Sequence, residues 1–274
     1  MNYKYIPFIN KGIMQTIELP NNLMPSATII IPAYNEEERI GKVLDEIKTF
    51  LRANDLSWDV IVSIDGNDGT EEIVKSFSSG HSSIKYQKGQ GRSGKGYAIK
   101  RVVDNSTGEF TLIMDADGAV GLAEIVRNFH YLTNYDVILF DRYTNGENRI
   151  PLFRRIPSRG FNILVRTILG LNVRDTQCGY KIVRTDLIKE AFRRVGVTNT
   201  FFDVALLYHI KKMGGRIKEV DVRYSHDEKS KFNIMTEIVG QGTSLLAFRL
   251  RHSRFYKYVP HWATEVYLKK FRWI

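Results

Sequence analysis

Residues 112–120 read LIMDADGAV. An apolar run breaks off at Met114 into two carboxylates, Asp115 and Asp117, one residue apart. A short apolar run that ends in a polar turn is the pattern of a strand buried on both faces. The same pattern recurs on either side. Residues 27–31 (ATIII) are apolar and end at Pro32, 59–64 (DVIVSI) end in the turn DGNDGT, 84–86 form a weaker strand, and 137–140 another. Between the first two strands, Ile40, Val43, Leu44, Ile47 and Leu51 fall at helical spacing within 36–51. Residues 71–77, 97–103 and 122–132 also read as helices. Alternating strands and helices predict an α/β fold, a mostly parallel central sheet with helices on both faces. Ligands in such sheets bind beyond the carboxyl ends of the strands. That rule gathers residues 34–37, 65–68, a glycine loop at 89–96 and Asp115–Asp117 along one edge. After Gly146 helices are expected over 153–169, 186–194 and 203–213, with a strand over 216–224.

The chain has 274 residues, 43% of them hydrophobic, which suits one α/β domain with an appendage. A single cysteine, Cys178, excludes an intrachain disulfide framework and fits a reducing cytoplasm or a compartment where disulfides are not needed. The formal charge of +10 attracts nucleic acid, anionic lipid or phosphorylated ligands. The basic and aromatic residues do not form an RNP1 or helix-turn-helix pattern, so no nucleic-acid partner is expected. No apolar run reaches about 18 residues, and the N-terminus makes a poor signal peptide. The expectation is a protein that is soluble or bound to a membrane surface.

The loop at 89–100, GQGRSGKGYAIK, matches two phosphate-binding patterns at once, the dinucleotide fingerprint and most of a P-loop. It follows the third and weakest strand, whereas a dinucleotide fold places its fingerprint after the first. Gly96 stands where a P-loop needs Ser or Thr for magnesium. A flexible surface loop remains one reading. The other is a loop whose N–H groups and Lys95 face a diphosphate held elsewhere in the site. Asp115 and Asp117 favour the second: two such carboxylates suit a hard divalent cation that keeps some waters and bridges a diphosphate. An exposed acidic turn is the plainer alternative.

The ordered set IIIPAYNEEERI (29–40), DGNDGT (65–70), GKGYA (94–98), MDADG (114–118) and DTQCGYK (175–181) resembles the inverting family 2 glycosyltransferases of the GT-A fold. Among them it resembles the polyprenyl-phosphate sugar transferases, the glucosyltransferase branch more than the mannosyltransferase branch. The resemblance covers roughly residues 27–232. It implies that both phosphate-loop matches are accidental and that Lys95 belongs to the family's GKG motif. It implies nucleotide binding by Pro32, Tyr34, Glu36, Asp65, Lys95 and Asp115. DGNDGT is one residue shorter than the usual motif, which bears on Asp65 and Asp68. A Mg or Mn ion is implied on Asp115 and Asp117; where some relatives add a Gln ligand, this chain has Ala119.

The resemblance also implies a polyprenyl or dolichyl phosphate acceptor, already ionised near neutral pH. Such an oxygen needs charge compensation and in-line positioning more than a general base. Arg142, Arg154 and Ser158 match positions near that phosphate, with Arg155 and Arg159 as neighbours, and arginine's fork suits phosphate. Lys231, in SHDEKSKFN, is a further acceptor-binding candidate. FFDVALL departs from the family's F-D-V-E-L-L at Ala205, which leaves Asp203 as a structural or acceptor-orienting carboxylate. The implied catalytic set is Asp117, Arg142, Arg154 and Asp203.

Three segments are expected: an N-terminal extension (1–26), a GT-A catalytic domain (27–232) and an amphipathic, basic C-terminal segment (233–274). In the last, Leu245, Leu246, Phe248 and Leu250 mix with Arg249, Arg251, His252 and Arg254. That mixture suits either a lipid interface or packing against the domain. The function expected is inverting transfer of a sugar, glucose from UDP-glucose favoured, to a polyprenyl phosphate at the cytoplasmic membrane face. GDP-mannose as donor, a soluble acceptor, and a non-catalytic sugar-nucleotide or nucleic-acid binder are the alternatives.

Overall fold

The computed structural model describes residues 3–10, 13–20, 24–144, 150–196, 200–224, 234–254 and 256–258; of these, 3–20, 234–239 and Arg154 are described by backbone alone. Strands β1 (Tyr3–Asn10) and β2 (Ile13–Pro20) pair antiparallel as a separate two-stranded sheet. The body then runs β3 (Ala27–Tyr34), α1 (Ile40–Ala53), β4 (Asp59–Asp65), α2 (Thr70–Gly80), β5 (Ile84–Lys88), α3 (Lys95–Val102), β6 (Phe110–Ile113), α4 (Leu122–Val126) and β7 (Val137–Asp141). It continues through α5 (Leu152–Leu169), β8 (Lys181–Arg184), α6 (Thr185–Arg194), α7 (Phe202–Lys212), β9 (Ile217–Asp221) and α8 (Ile234–Arg251).

Seven strands form one sheet in the order β5-β4-β3-β6-β8-β7-β9. The pairs β3/β4, β3/β6, β4/β5 and β7/β9 are parallel; β8 runs antiparallel between β6 and β7. The sheet is therefore mixed, and mostly parallel as expected. Side chains alternate across it with the period of two that strand geometry dictates. Ile29, Ile31, Val60, Val62, Leu112, Ile138 and Phe140 enter the core under α1 and α4. Ile30, Ile61, Ile113, Val137 and Leu139 enter the core under α3, α6 and α7. Burial on both faces explains why these strands read as unbroken apolar runs.

Two of the expected elements differ in extent or exposure, and β1, β2 and β8 were not expected. The helix expected over 122–132 ends at Val126, and a 3-10 turn follows at Phe129–Thr133. On α8, Leu245 and Phe248 are buried in the core beside α7, so only Leu246 and Leu250 of the expected lipid-facing group point outward. α8 packs on the domain because its small and apolar residues complete that core. No helix among the described residues is long and apolar enough to cross a membrane. Ser230 and Lys231 lie outside the described residues.

Candidate active site

The carboxyl ends of β3, β4 and β6 meet at one edge, as the topology requires. The first two ends are laced together. Glu36 N–H donates to Thr70 Oγ1 (2.8 Å), Glu37 N–H to Asp68 Oδ2 (3.1 Å), Gly69 N–H to Glu37 Oε2 (2.7 Å) and Asn67 N–H to Asn35 Oδ1 (3.1 Å). Gly66 sits at φ +98°, and a Cβ there would lie 2.0 Å from Asn35 Oδ1, so glycine alone permits this closure. Asp68 also accepts from Thr70 N–H and Oγ–H, which makes it the bracket of the α2 N-terminus. Tyr34 stands at the end of β3, 44% exposed, with the Arg92 guanidinium 5.0 Å above its ring. An exposed ring under a cation is a stacking platform. Pro32 lies two residues earlier on the same strand.

Asp65 is buried, and the protein uses both of its oxygens. Oδ2 accepts from the N–H and hydroxyl of Ser93, and Oδ1 accepts from Arg101 Nη2 at 2.6 Å. In this way Asp65, expected to bind the nucleotide, also holds the glycine loop. Three donors take up most of the roughly four acceptor sites of a carboxylate.

The glycine loop leads into α3 with Lys95 as its first residue, and Lys95 Nζ donates to Asp115 Oδ1. Burial pulls the Lys95 ammonium down, but Asp115 and Asp203 outweigh it and raise it to about 12. For Asp115 burial works upward and Lys95, Lys181 and Arg142 outweigh it, so its carboxyl lies below the usual range. Both groups are charged at neutral pH. Glu36 is pushed up by burial, against the pull of the Arg39 fork that binds it at 2.8 and 2.9 Å; the Asp117 and Asp115 charges push the same way as burial.

Residues 175–181 organise the rest of the site, each addressing a different part. Asp175 takes the Arg142 fork, Nε to Oδ2 at 2.7 Å and Nη2 to Oδ1 at 3.0 Å. Thr176 donates through its N–H and hydroxyl to Asn162 on α5. Gly179 lies so close to Asp115 that a Cβ would fall 1.6 Å from its Oδ2. Tyr180 donates its hydroxyl to Asp117 Oδ1 at 3.0 Å. Lys181, fully buried, pairs with Asp203 at 2.7 Å and donates to the Cys178 carbonyl. On β9, Glu219 accepts the Arg174 and Asp175 N–H groups and holds this segment from behind.

Arg142 is thus brought into the site but with its fork already on a carboxylate. It stacks between Tyr143 and Tyr224, with centroids 5.4 and 5.6 Å away. Burial lowers its pKa and Asp175 outweighs that, leaving it well above the ordinary value. Ser158 accepts the Tyr143 hydroxyl at 2.7 Å, which ties α5 to the end of β7. Arg154 lies in the first turn of α5. Asp203, expected among the catalytic residues, is only 5% exposed and lies against Lys181 as its buried counter-charge. Arg92, Arg101, Asp175, Tyr180 and Lys181 were missed as individual residues. The signal for the last three was the DTQCGYK motif itself, in which Asp175, Thr176, Tyr180 and Lys181 are buried.

Asp117 and Asp115 fit a divalent cation. Asp117 Oδ1 is held by Ala119 N–H and the Tyr180 hydroxyl, both at 3.0 Å, while Oδ2 has no hydrogen-bond partner among the described residues. No group of three or more His, Cys, Asp and Glu side chains suited to a metal occurs among the described residues. Two carboxylates leave the remaining positions to a diphosphate and water, the usual habit of Mg and its relatives.

A mixed seven-stranded sheet carrying paired carboxylates and a lysine-led helix at its strand ends is the GT-A glycosyltransferase arrangement. Solved neighbours share the fold. Mannosyl-3-phosphoglycerate synthase from Rubrobacter xylanophilus superposes with a TM-score of 0.65 at 16% identity, over 84% of this chain and 75% of that one. Glucosyl-3-phosphoglycerate synthase from Mycobacterium tuberculosis, in complex with Mn2+, UDP and glucosyl-3-phosphoglycerate, gives 0.60 at 17% identity, over 83% and 79%. The chain belongs to glycosyl transferase family 2, whose pattern matches residues 28–192. Among characterised sequences it is similar to the dolichyl-phosphate beta-glucosyltransferase ALG5C of Trichomonas vaginalis, 32% identical over 80% of this chain and 71% of that one. It is also similar to ALG5A of the same organism (26%, over 92% and 82%) and to the human dolichyl-phosphate beta-glucosyltransferase (28%, over 89% and 82%).

Proposed function

We propose that this enzyme transfers glucose, with inversion, from UDP-glucose to dolichyl or another polyprenyl phosphate. The observation that carries the reading is the charge arrangement at the strand ends. Two carboxylates and Lys95 lie on the β6 side, and Arg142 lies across from them at the end of β7. The names of the similar sequences support glucose as the sugar and dolichyl phosphate as the acceptor, and a solved neighbour holds UDP. Tyr34 and Arg92 offer the platform for the base, and the Asp65-held loop and Lys95 face the diphosphate. A Mg or Mn ion on Asp115 and Asp117 would supply neutralisation of the leaving diphosphate. The acceptor phosphate oxygen forms the new bond to the anomeric carbon as the bond to UDP breaks and UDP leaves with the electron pair. The acceptor is already ionised, so no side chain has to remove a proton, and Ala205 costs nothing. Arg142 and Arg154 would draw the acceptor phosphate in line. The direct test is a donor panel (UDP-glucose, GDP-mannose) against polyprenyl phosphate and against a soluble phosphorylated acceptor. Labelled lipid from UDP-glucose alone is expected. Product only with the soluble acceptor would overturn the reading.

The acceptor's tail lies in a bilayer, so the site must reach a membrane surface. α5 offers the means. Leu152, Phe153, Ile156, Ile163 and Leu164 are 48–67% exposed. At 100° per residue they form one stripe about a third of the helix circumference wide. Arg155, Arg159 and Arg166 fall along one flank of it. The opposite face carries Ser158, Asn162 and the buried Val165, joined to the site. We infer that this stripe, with Leu246 and Leu250 of the adjacent α8, rests on an anionic lipid surface at the cytoplasmic side.

A further inference from the structure

We propose that Tyr180 is a positioning residue for the divalent cation, its buried hydroxyl turning Asp117 so that Oδ2 faces the metal and diphosphate. The proposal rests on the reading of Asp115 and Asp117 as metal carboxylates. Tyr180 is 0% exposed, and its ring is packed in the core under α1 and α4, so the hydroxyl has no freedom to swing away. The direction of its single proton is determined by its neighbours. Val120 N–H donates to the oxygen at 3.3 Å, and Asp117 Oδ1, 3.0 Å away, can only accept. The proton therefore points at Asp117. Ala119 N–H reaches the same Oδ1, and Oδ2 stays without a hydrogen-bond partner among the described residues. One oxygen is thereby held and the other presented.

The arrangement matters more here than in a site rich in ligands. With two carboxylates and Ala119 in place of a third ligand, a badly turned Asp117 removes half of what the protein supplies. Partners that orient a metal's ligands typically change metal affinity by about 10–100-fold when removed. The Tyr180 hydroxyl has no other hydrogen-bond partner among the described residues, so it is spent on this one task.

The test uses the full chain with Tyr180→Phe, with Tyr180→4-fluorophenylalanine as a second variant that fills the hydroxyl's volume without a donor. UDP affinity is measured calorimetrically with Mn2+ and with chelator, and Mn2+ affinity by electron paramagnetic resonance at saturating UDP. The expected result is a roughly 10-fold or greater loss of Mn2+ affinity, with metal-free UDP affinity unchanged. Wild-type Mn2+ affinity in either folded variant overturns the proposal. Equal losses with and without metal also overturn it, since a merely structural tyrosine would do that. Asp117→Asn run in parallel separates the two layers. If that variant keeps Mn2+-dependent UDP binding, the metal reading itself fails and Tyr180 has nothing to position. If it loses that binding while Tyr180→Phe keeps it, only the role of Tyr180 falls.

Discussion

Arg142 and Asp175 form a two-bond pair, 2.7 and 3.0 Å, in which the carboxylate is fully buried and the arginine side chain 19% exposed. An ion pair of this kind is costly to break from one side, because the remaining charge stays buried and unpaired. Asp175→Ala should destabilise the fold by about 3 kcal/mol or more. Arg142→Ala should weaken acceptor use as well as stability, because it removes a cation from the acceptor side. The double variant should lose less than the sum of the two, since the second removal relieves the first. Urea unfolding of the four proteins checks this. Additive losses would mean that the pair is not energetically coupled.

Asp117→Ala should keep the fold and lose transfer by about 1000-fold or more. Asp117 lies in a partly buried turn and adds no apolar side chain to the core, its one tie there being the Tyr180 hydroxyl, whereas stabilising the leaving diphosphate is worth several kcal/mol in the transition state. Turnover at saturating Mn2+, compared with circular dichroism of the same sample, decides it. Near-normal turnover in the folded variant would remove the metal from the mechanism.

The sheet was legible because its strands are buried on both faces and therefore spell themselves as apolar runs, from Ala27 to Ile31 and from Phe110 to Met114. β8 was not, because its four residues begin with Lys181, a charged residue whose burial depends on Asp203, 22 positions later. The β1/β2 hairpin was missed because short mixed strands carry no strong period. The edge holding Asp115, Lys95 and Glu36 followed from topology alone. What stayed hidden was which polar groups the protein spends on itself. Asp65 reads as a ligand-facing carboxylate in sequence, and only the return of Ser93 and Arg101 onto it reveals its task. The outward apolar face of α5 was hidden for the opposite reason. Its residues carry a normal helical period, and nothing local says which side meets the core.

His209 gives the fold an acid-sensitive point. It lies between α7 and α8 with rings of Phe248 and His252 at 5.9 and 5.3 Å, and its Nε2 is buried without a hydrogen-bond partner among the described residues. Burial first, then the His252, Arg194 and Arg251 charges, bring it down from 6.5 to about 4. The folded value is below the unfolded one, so the unfolded chain takes up the proton first. The contribution is fully present above pH 6.5 and is lost as pH falls toward 4. Thermal unfolding across this window should show a falling Tm, and His209→Phe should flatten much of the fall. An identical fall in the variant would place the acid sensitivity elsewhere.

The α5 stripe predicts where membrane binding resides. Each large apolar side chain taken from roughly half-exposed to buried contributes about 1 kcal/mol, and an arginine near an anionic surface contributes a similar amount. Five apolar residues and a flank of arginines together suffice for reversible attachment, while no single one does. Ile156→Asp with Ile163→Asp should therefore reduce sedimentation with anionic vesicles by at least about 10-fold. Tm should be unchanged, because both side chains point away from the core. Salt should weaken binding of the unaltered protein without abolishing it, since only the arginine part is screened. Truncation of α8 would be a poorer test, as it strips Leu245 and Phe248 from the core. Equal vesicle binding by the double variant would move the contact off α5. A concentration-dependent dimer that the double variant breaks, with no vesicle binding by either protein, would show that a second copy of the chain covers the stripe instead.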